Sequence, residues 1–145
     1  MLTFTSHSPQ QTEQFAKELA PRLKPGDVLA FTGGMGAGKT AFTRGLAAGL
    51  SVSGEVASPT FSIVNVYPGQ KGGPSLFHFD MYRITDPDEL ETTGFFDYLE
   101  DNGILAVEWS EHIADDLPPE RTIFISIDKT GENTRTITVK GGGRF

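Results

Sequence analysis

Gly33, four intervening residues, then Gly38-Lys39-Thr40 form a spacing that can hold phosphate. Each position has a physical reason. Glycines let consecutive backbone N–H groups turn inward and let the chain approach an anion closely. A helix starting near Lys39 would point its positive end at the same anion. The Lys39 ammonium can reach the β- and γ-phosphates of a nucleotide as a point charge, and the Thr40 hydroxyl is of the type that ligates magnesium. This Walker A pattern arises by chance in roughly one chain of this length in two hundred at average composition.

Such a site needs a carboxylate at the end of a neighbouring strand, to hold magnesium directly or through water. Two acids qualify. Glu108 follows the apolar run Ile104-Leu105-Ala106-Val107, and Asp80 follows Leu76-Phe77-His78-Phe79, a run interrupted by a histidine. The uninterrupted run favours Glu108 as the strand-end acid. Either acid has a plainer alternative as a helix cap or a solvated group. Ser58-Pro59-Thr60-Phe61 lies about twenty residues past Lys39. Thr60 could sense a γ-phosphate there, although the simpler reading is a Ser-Pro turn. His78 is expected to be packed rather than to act as a base. Arg83 could be a phosphate-side cation, although the simpler reading is a salt-bridged structural arginine. Trp109, the sole tryptophan, has core packing as its default role.

The elements that position these residues follow from pattern. Val28-Leu29-Ala30-Phe31 precedes the glycine loop and is apolar at every position, the habit of a parallel strand buried on both faces. Phe42, Leu46 and Leu50, spaced by four, predict a helix after it. A strand over Leu2–Thr5 comes first. Ser8, Pro9 and Gln11 then predict a capped helix carrying Phe15, Ala16 and Leu19 on one face, weakened or ended at Pro21. Phe61–Tyr67 and Leu76–Tyr82 read as strands joined by the glycine-rich loop 68–74. Asp86-Pro87-Asp88-Glu89 opens a short helix, and another is expected near Phe95–Leu99. Arg121–Asp128 and Thr134–Lys140 alternate around a turn at 130–133, a hairpin with one wet face. The tail Gly141-Gly142-Gly143 is expected to fray.

The 145 residues suit one domain over 1–145. The absence of cysteine excludes disulfides and thiolate chemistry. A net charge of −7 argues against a broad basic face for nucleic acid. No apolar run approaches the ~20 residues of a membrane span, and the first eight residues lack a secretory pattern. A cytoplasmic location is therefore expected. The fold class is α/β: a P-loop NTPase-like mixed sheet, parallel at the centre with antiparallel hairpins, flanked by helices.

Assembled in order, these blocks resemble the TsaE family, the bacterial P-loop ATPases of tRNA threonylcarbamoyladenosine biosynthesis. The resemblance rests on Gly33–Thr40 with Ala41-Phe42-Thr43-Arg44-Gly45, on Ser58-Pro59-Thr60-Phe61, on His78-Phe79-Asp80-Met81-Tyr82-Arg83 and on Val107-Glu108-Trp109. It covers nearly the whole chain. The Walker block is shared with many families, whereas the latter two blocks are far more specific. The resemblance implies that Gly34, Met35, Gly36, Ala37, Gly38, Lys39, Thr40 and Ala41 bind the nucleotide. It implies magnesium held by Thr40 and Glu108. Thr60 and Asp80 would border the γ-phosphate, with Lys39 and Asp80 catalytic and Asp80 orienting the attacking water. Trp109 would lie close to the nucleotide, and Thr12 beside the base. Gly34 departs from the pattern, since the family commonly has an acidic residue there. The implied substrate is ATP. The implied partners are the TsaD and TsaB proteins, with tRNA met only through their complex.

Three rivals share the strand, loop and helix. A small-molecule or nucleotide kinase usually closes an arginine-bearing lid, and the six arginines here are scattered. A GTPase would need an Asn-Lys-x-Asp base reader, which the sequence lacks. A nucleotide-gated binding module with nearly silent hydrolysis needs turnover data to separate.

Overall fold

The computed structural model describes residues 1–32, 38–56, 63–84 and 86–145. Strand β1 (Leu2–Ser6) leads into α1 (Pro9–Leu19), and Ser8 starts the helix as its sequence position requires. Its hydroxyl accepts the Gln11 N–H at 3.1 Å. The Gln11 side chain accepts in turn from His7 N–H at 2.8 Å, one residue earlier than in the usual reciprocal cap. Pro21 falls in a 3₁₀ turn at Ala20–Arg22 that ends the helical run.

The remaining elements follow the apolar runs. They are β2 (Val28–Thr32), α2 (Lys39–Leu50), β3 (Val64–Tyr67) and β4 (Ser75–Asp80). Then come α3 (Pro87–Thr92), α4 (Phe95–Leu99), β5 (Gly103–Glu108), a 3₁₀ stretch at Ser110–Asp116, β6 (Thr122–Lys129) and β7 (Arg135–Gly141). The strands form one sheet in the order β1-β7-β6-β2-β5-β4-β3. The central four are parallel, and β1–β7, β7–β6 and β4–β3 pair antiparallel. This is the expected mixed α/β sheet flanked by helices. The predicted strand Phe61–Tyr67 is seen from Val64, with its first two residues outside the described ones.

The unbroken apolar runs are explained by two cores. Leu29 and Phe31 of β2 pack under α1 and α2 with Leu76, Ile104 and Ala106. Val28 and Ala30 face the opposite layer, with Phe77, Phe79, Leu105 and Val107 against α3 and α4. Phe42 pins α2 to the sheet, with its ring edge-on to Phe31 at 5.5 Å, and burying such a ring stabilises by about 1.5–3 kcal/mol. Helices α1 and α2 approach closely at Gly45 and Gly49. A Cβ on Gly45 would lie 2.1 Å from the Glu13 carbonyl oxygen, and one on Gly49 would lie 2.5 Å from Ala20 Cβ. That contact sets the start of α1 beside the start of α2.

The tail does not fray. Gly141 N–H donates to the Phe145 carbonyl at 3.2 Å, and Phe145 N–H donates back at 3.1 Å. Arg144 pairs with buried Asp27, and the Arg22 guanidinium sits 4.5 Å above the Phe145 ring. The glycines alone suggest mobility, but the two residues after them carry the anchors. Among the described residues, no helix is long and apolar enough to cross a membrane.

Candidate functional site

Three parallel strands end side by side, and their ends build the site. Gly38 stands at the N-cap of α2 with φ 109°, a conformation that favours glycine, and no side chain caps the helix. Lys39, Thr40 and Ala41 form its first turn, where backbone N–H groups have no partner within the helix. The first turn carries no acidic residue. Among the described residues Lys39 makes no ion pair, and its Nζ lies 5.7 Å from the centre of the Trp109 ring. A helix end and an unneutralised ammonium together favour an anion.

Asp80 and Glu108 occupy matching positions at the ends of β4 and β5. Alternation along the strands puts both on the α2 face, with Leu76, His78, Ile104 and Ala106. Adjacent strands are ~4.8 Å apart, so two carboxylates sit close together at the sheet end. Their surroundings differ. Glu108 Oε2 accepts from His78 Nε2 at 2.6 Å, and its side chain is 16% exposed while that of His78 is fully buried. Asp80 Oδ1 accepts the Tyr82 N–H at 2.9 Å, closing the turn after β4. His78 is thus packed, as the sequence suggests, and is also paired. Arg83 is exposed and has no carboxylate partner among the described residues, so the expected salt bridge is absent there.

The turn after Glu108 joins these ends. Trp109 adopts φ 58°, which costs a non-glycine residue about 1–2 kcal/mol. Ser110, next in the chain, donates its hydroxyl to the Phe31 carbonyl at 3.1 Å, tying the end of β5 to the end of β2. The half-buried Trp109 ring meets Tyr82 at 4.9 Å and His112 at 5.7 Å. The ring packs against the core on the α3–α4 side, its default role, and its other edge also meets Lys39 and the exposed Tyr82.

On the other side of the α2 start lies an open cleft of about 210 Å³. Ser8, Pro9 and Thr12 of the first helix line it, with Gly38, Ala41, Asn133 and Arg135. The Thr12 hydroxyl donates to Ser6 Oγ at 2.7 Å, and Ser6 donates to the Ser8 carbonyl at 2.7 Å. The Thr12 proton is therefore engaged within the protein, leaving its oxygen as an acceptor.

Among the described residues there is no cluster of three or more His, Cys, Asp or Glu able to cage a metal. The donors at the site are a Thr40 hydroxyl and carboxylate oxygens. That hard, sparse set fits magnesium, which keeps most of its waters and takes one or two protein ligands.

A family model described as "Threonylcarbamoyl adenosine biosynthesis protein TsaE" matches residues 6–137. The chain belongs to the TsaE family. A TsaE of Bacillus subtilis (strain 168), named a tRNA threonylcarbamoyladenosine biosynthesis protein, is 41% identical over 142 residues, covering 98% of this chain and 87% of the relative. The TsaE of Treponema pallidum (strain Nichols) is 35% identical, covering 92% of this chain and 96% of its own. A crystal structure of Bacillus subtilis YdiB superposes with a TM-score of 0.79 at 37% identity, covering 99% of this chain and 88% of that one.

Of the residues that the TsaE resemblance singles out, Gly34, Met35, Gly36, Ala37 and Thr60 lie outside the described residues. Gly38, Lys39, Thr40 and Ala41 stand at the start of α2, and Thr12 lines a cleft with Gly38 and Ala41. Trp109 meets Lys39, and Asp80 and Glu108 lie on neighbouring strand ends. Asn133 and Arg135 escape the sequence reading. They sit in and just after a hairpin turn, where polar residues are the default, and only the sheet order brings that turn to the cleft.

Proposed function

We propose that this chain is the ATP-binding, magnesium-dependent ATP-hydrolysing component of tRNA threonylcarbamoyladenosine biosynthesis, working with the TsaD and TsaB proteins. One observation carries the reading. A helix start with no side-chain cap, whose lysine makes no ion pair among the described residues, lies beside two strand-end carboxylates that share its face. The backbone of residues 33–41 and the Lys39 ammonium hold the phosphates, with Thr60 at the γ-phosphate. Thr40 and Glu108 are the protein ligands of magnesium, which when bound neutralises charge on the β- and γ-oxygens. Asp80 orients the attacking water. Trp109 borders the phosphates through its contact with Lys39, and the cleft of Thr12, Asn133 and Arg135 takes the base side.

The kinase alternative has less support. Arg144 pairs with buried Asp27 and Arg22 packs over Phe145, which removes these two as lid arginines, and the others are scattered along the chain rather than gathered on one lid segment. The acidic chain need not grip tRNA itself, which suits action through a protein complex. The test measures ATP binding and hydrolysis with and without the TsaD–TsaB complex. Binding by the isolated chain, weak hydrolysis alone and faster hydrolysis with the complex are expected. Phosphoryl transfer to a small acceptor, or no nucleotide binding, would overturn the reading. Binding with no turnover in either condition would leave a nucleotide-gated module in its place.

A further inference from the structure

We infer that His78 is a positioning residue for the metal ligand Glu108, an inference that rests on the magnesium role proposed for Glu108. His78 interrupts the apolar run of β4, and its side chain is fully buried. In register it faces Ala106, and so lies diagonally across the parallel ladder from Glu108. Its Nε2 meets Glu108 Oε2 at 2.6 Å, while its Nδ1 is buried with no partner among the described residues. These two facts assign the tautomer: the proton sits on Nε2, where an acceptor exists, and Nδ1 carries a bare lone pair.

An apolar residue would fill this interior position without leaving a buried nitrogen unpaired. The imidazole therefore costs stability where it stands, and what it supplies is one donor aimed at one carboxylate oxygen. That hydrogen bond restricts rotation of the Glu108 carboxylate and leaves Oε1 to face away from the histidine. A glutamate has three rotatable bonds, and a ligand fixed beforehand loses less freedom when a cation arrives. Partners one shell out from a metal typically alter its affinity by about 10–100-fold.

The test uses the full chain with a non-hydrolysable ATP analogue, and Mn²⁺ as the probe, read by electron paramagnetic resonance. Affinity for the analogue in the presence of a chelator is measured in parallel. In His78→Leu, Mn²⁺ affinity of the nucleotide complex should fall about 10-fold or more. Metal-free nucleotide affinity should stay within about twofold, because no phosphate contact is lost. His78→Gln, which keeps an N–H donor at similar reach, should recover most of the loss. A purely structural histidine would move both affinities together. Glu108→Gln serves as the reference, and adding His78→Leu to it should bring little further loss. If Glu108→Gln weakens Mn²⁺ binding and His78→Leu does not, the positioning inference fails while the metal site stands. If Glu108→Gln leaves Mn²⁺ affinity unchanged, the role of Glu108 fails and the inference falls with it. Should the leucine chain not fold, His78→Phe carries the same comparison with a ring of similar size.

Discussion

In β2, β4 and β5 the interior side chains are apolar apart from His78, whereas β6, β7 and β1 alternate. The first group is covered on both faces. The second is covered only by the α1–α2 layer. Its outer face presents Thr3, Thr5, Phe124, Ser126, Thr138 and Lys140 to solvent or to shallow surface. The contrast bears on where chemistry can be recognised. In a strand buried on both faces a polar side chain is costly, so it occurs at the strand end or with a specific partner. Asp80 and Glu108 are of the first kind and His78 is of the second. In a half-exposed strand polar residues are ordinary, and Asn133 and Arg135 are hidden among them although they line the cleft beside the α2 start.

Four substitutions bear on that contrast. The largest effect is expected for Lys39→Ala. Loss of the charge at the helix start should lower turnover by about 10²–10³-fold, as removal of a preorganised electrostatic donor does. Circular dichroism should be unchanged, because alanine favours the helix that Lys39 begins. Unaltered hydrolysis would remove the phosphate role.

Asp80→Asn comes next. If Asp80 orients water, single-turnover hydrolysis in the TsaD–TsaB complex should fall by about 10²-fold with nucleotide affinity nearly intact. Because Asp80 also caps the Tyr82 N–H, calorimetry separates the two roles. A lower melting temperature with unchanged hydrolysis would make it structural alone.

Arg135→Ala probes the antiparallel half. Titration with a fluorescent ATP analogue should show affinity falling about tenfold, the size of one hydrogen bond from a charged donor. No change would confine the site to the parallel half. The smallest effect is expected for Phe124→Thr on the open face. It is 41% exposed, so urea unfolding should move by no more than about 0.5 kcal/mol. A larger loss would mean that this face is packed more tightly than its exposure suggests.

The same contrast decides what was legible in the sequence. Val28–Phe31 and Ile104–Val107 announce buried parallel strands, and the glycine spacing before Lys39 announces the helix start. Phe95–Leu99 forms a helix where it is expected. Ser8 and Asp86 cap their helices because cap chemistry is local: each side chain accepts an N–H three residues on. What could not be read depends on contacts distant in sequence. The His78–Glu108 pair spans thirty residues and needs the β4–β5 register. The approach of Asn133 to the first helix needs the order β1-β7-β6-β2. The tail is anchored through Asp27, a partner that a run of glycines does not signal. Arg83 has the composition of a salt-bridged residue, but no acid of the described fold meets it.

The most direct test of the account is a crystal structure of this chain with magnesium and a non-hydrolysable ATP analogue. The triphosphate should lie across the start of α2, within reach of Lys39. The metal should be ligated by Thr40 and Glu108, with His78 still on Glu108 Oε2 and the base in the cleft of Thr12 and Asn133. A triphosphate bound elsewhere, or Glu108 turned away from the metal, would contradict it.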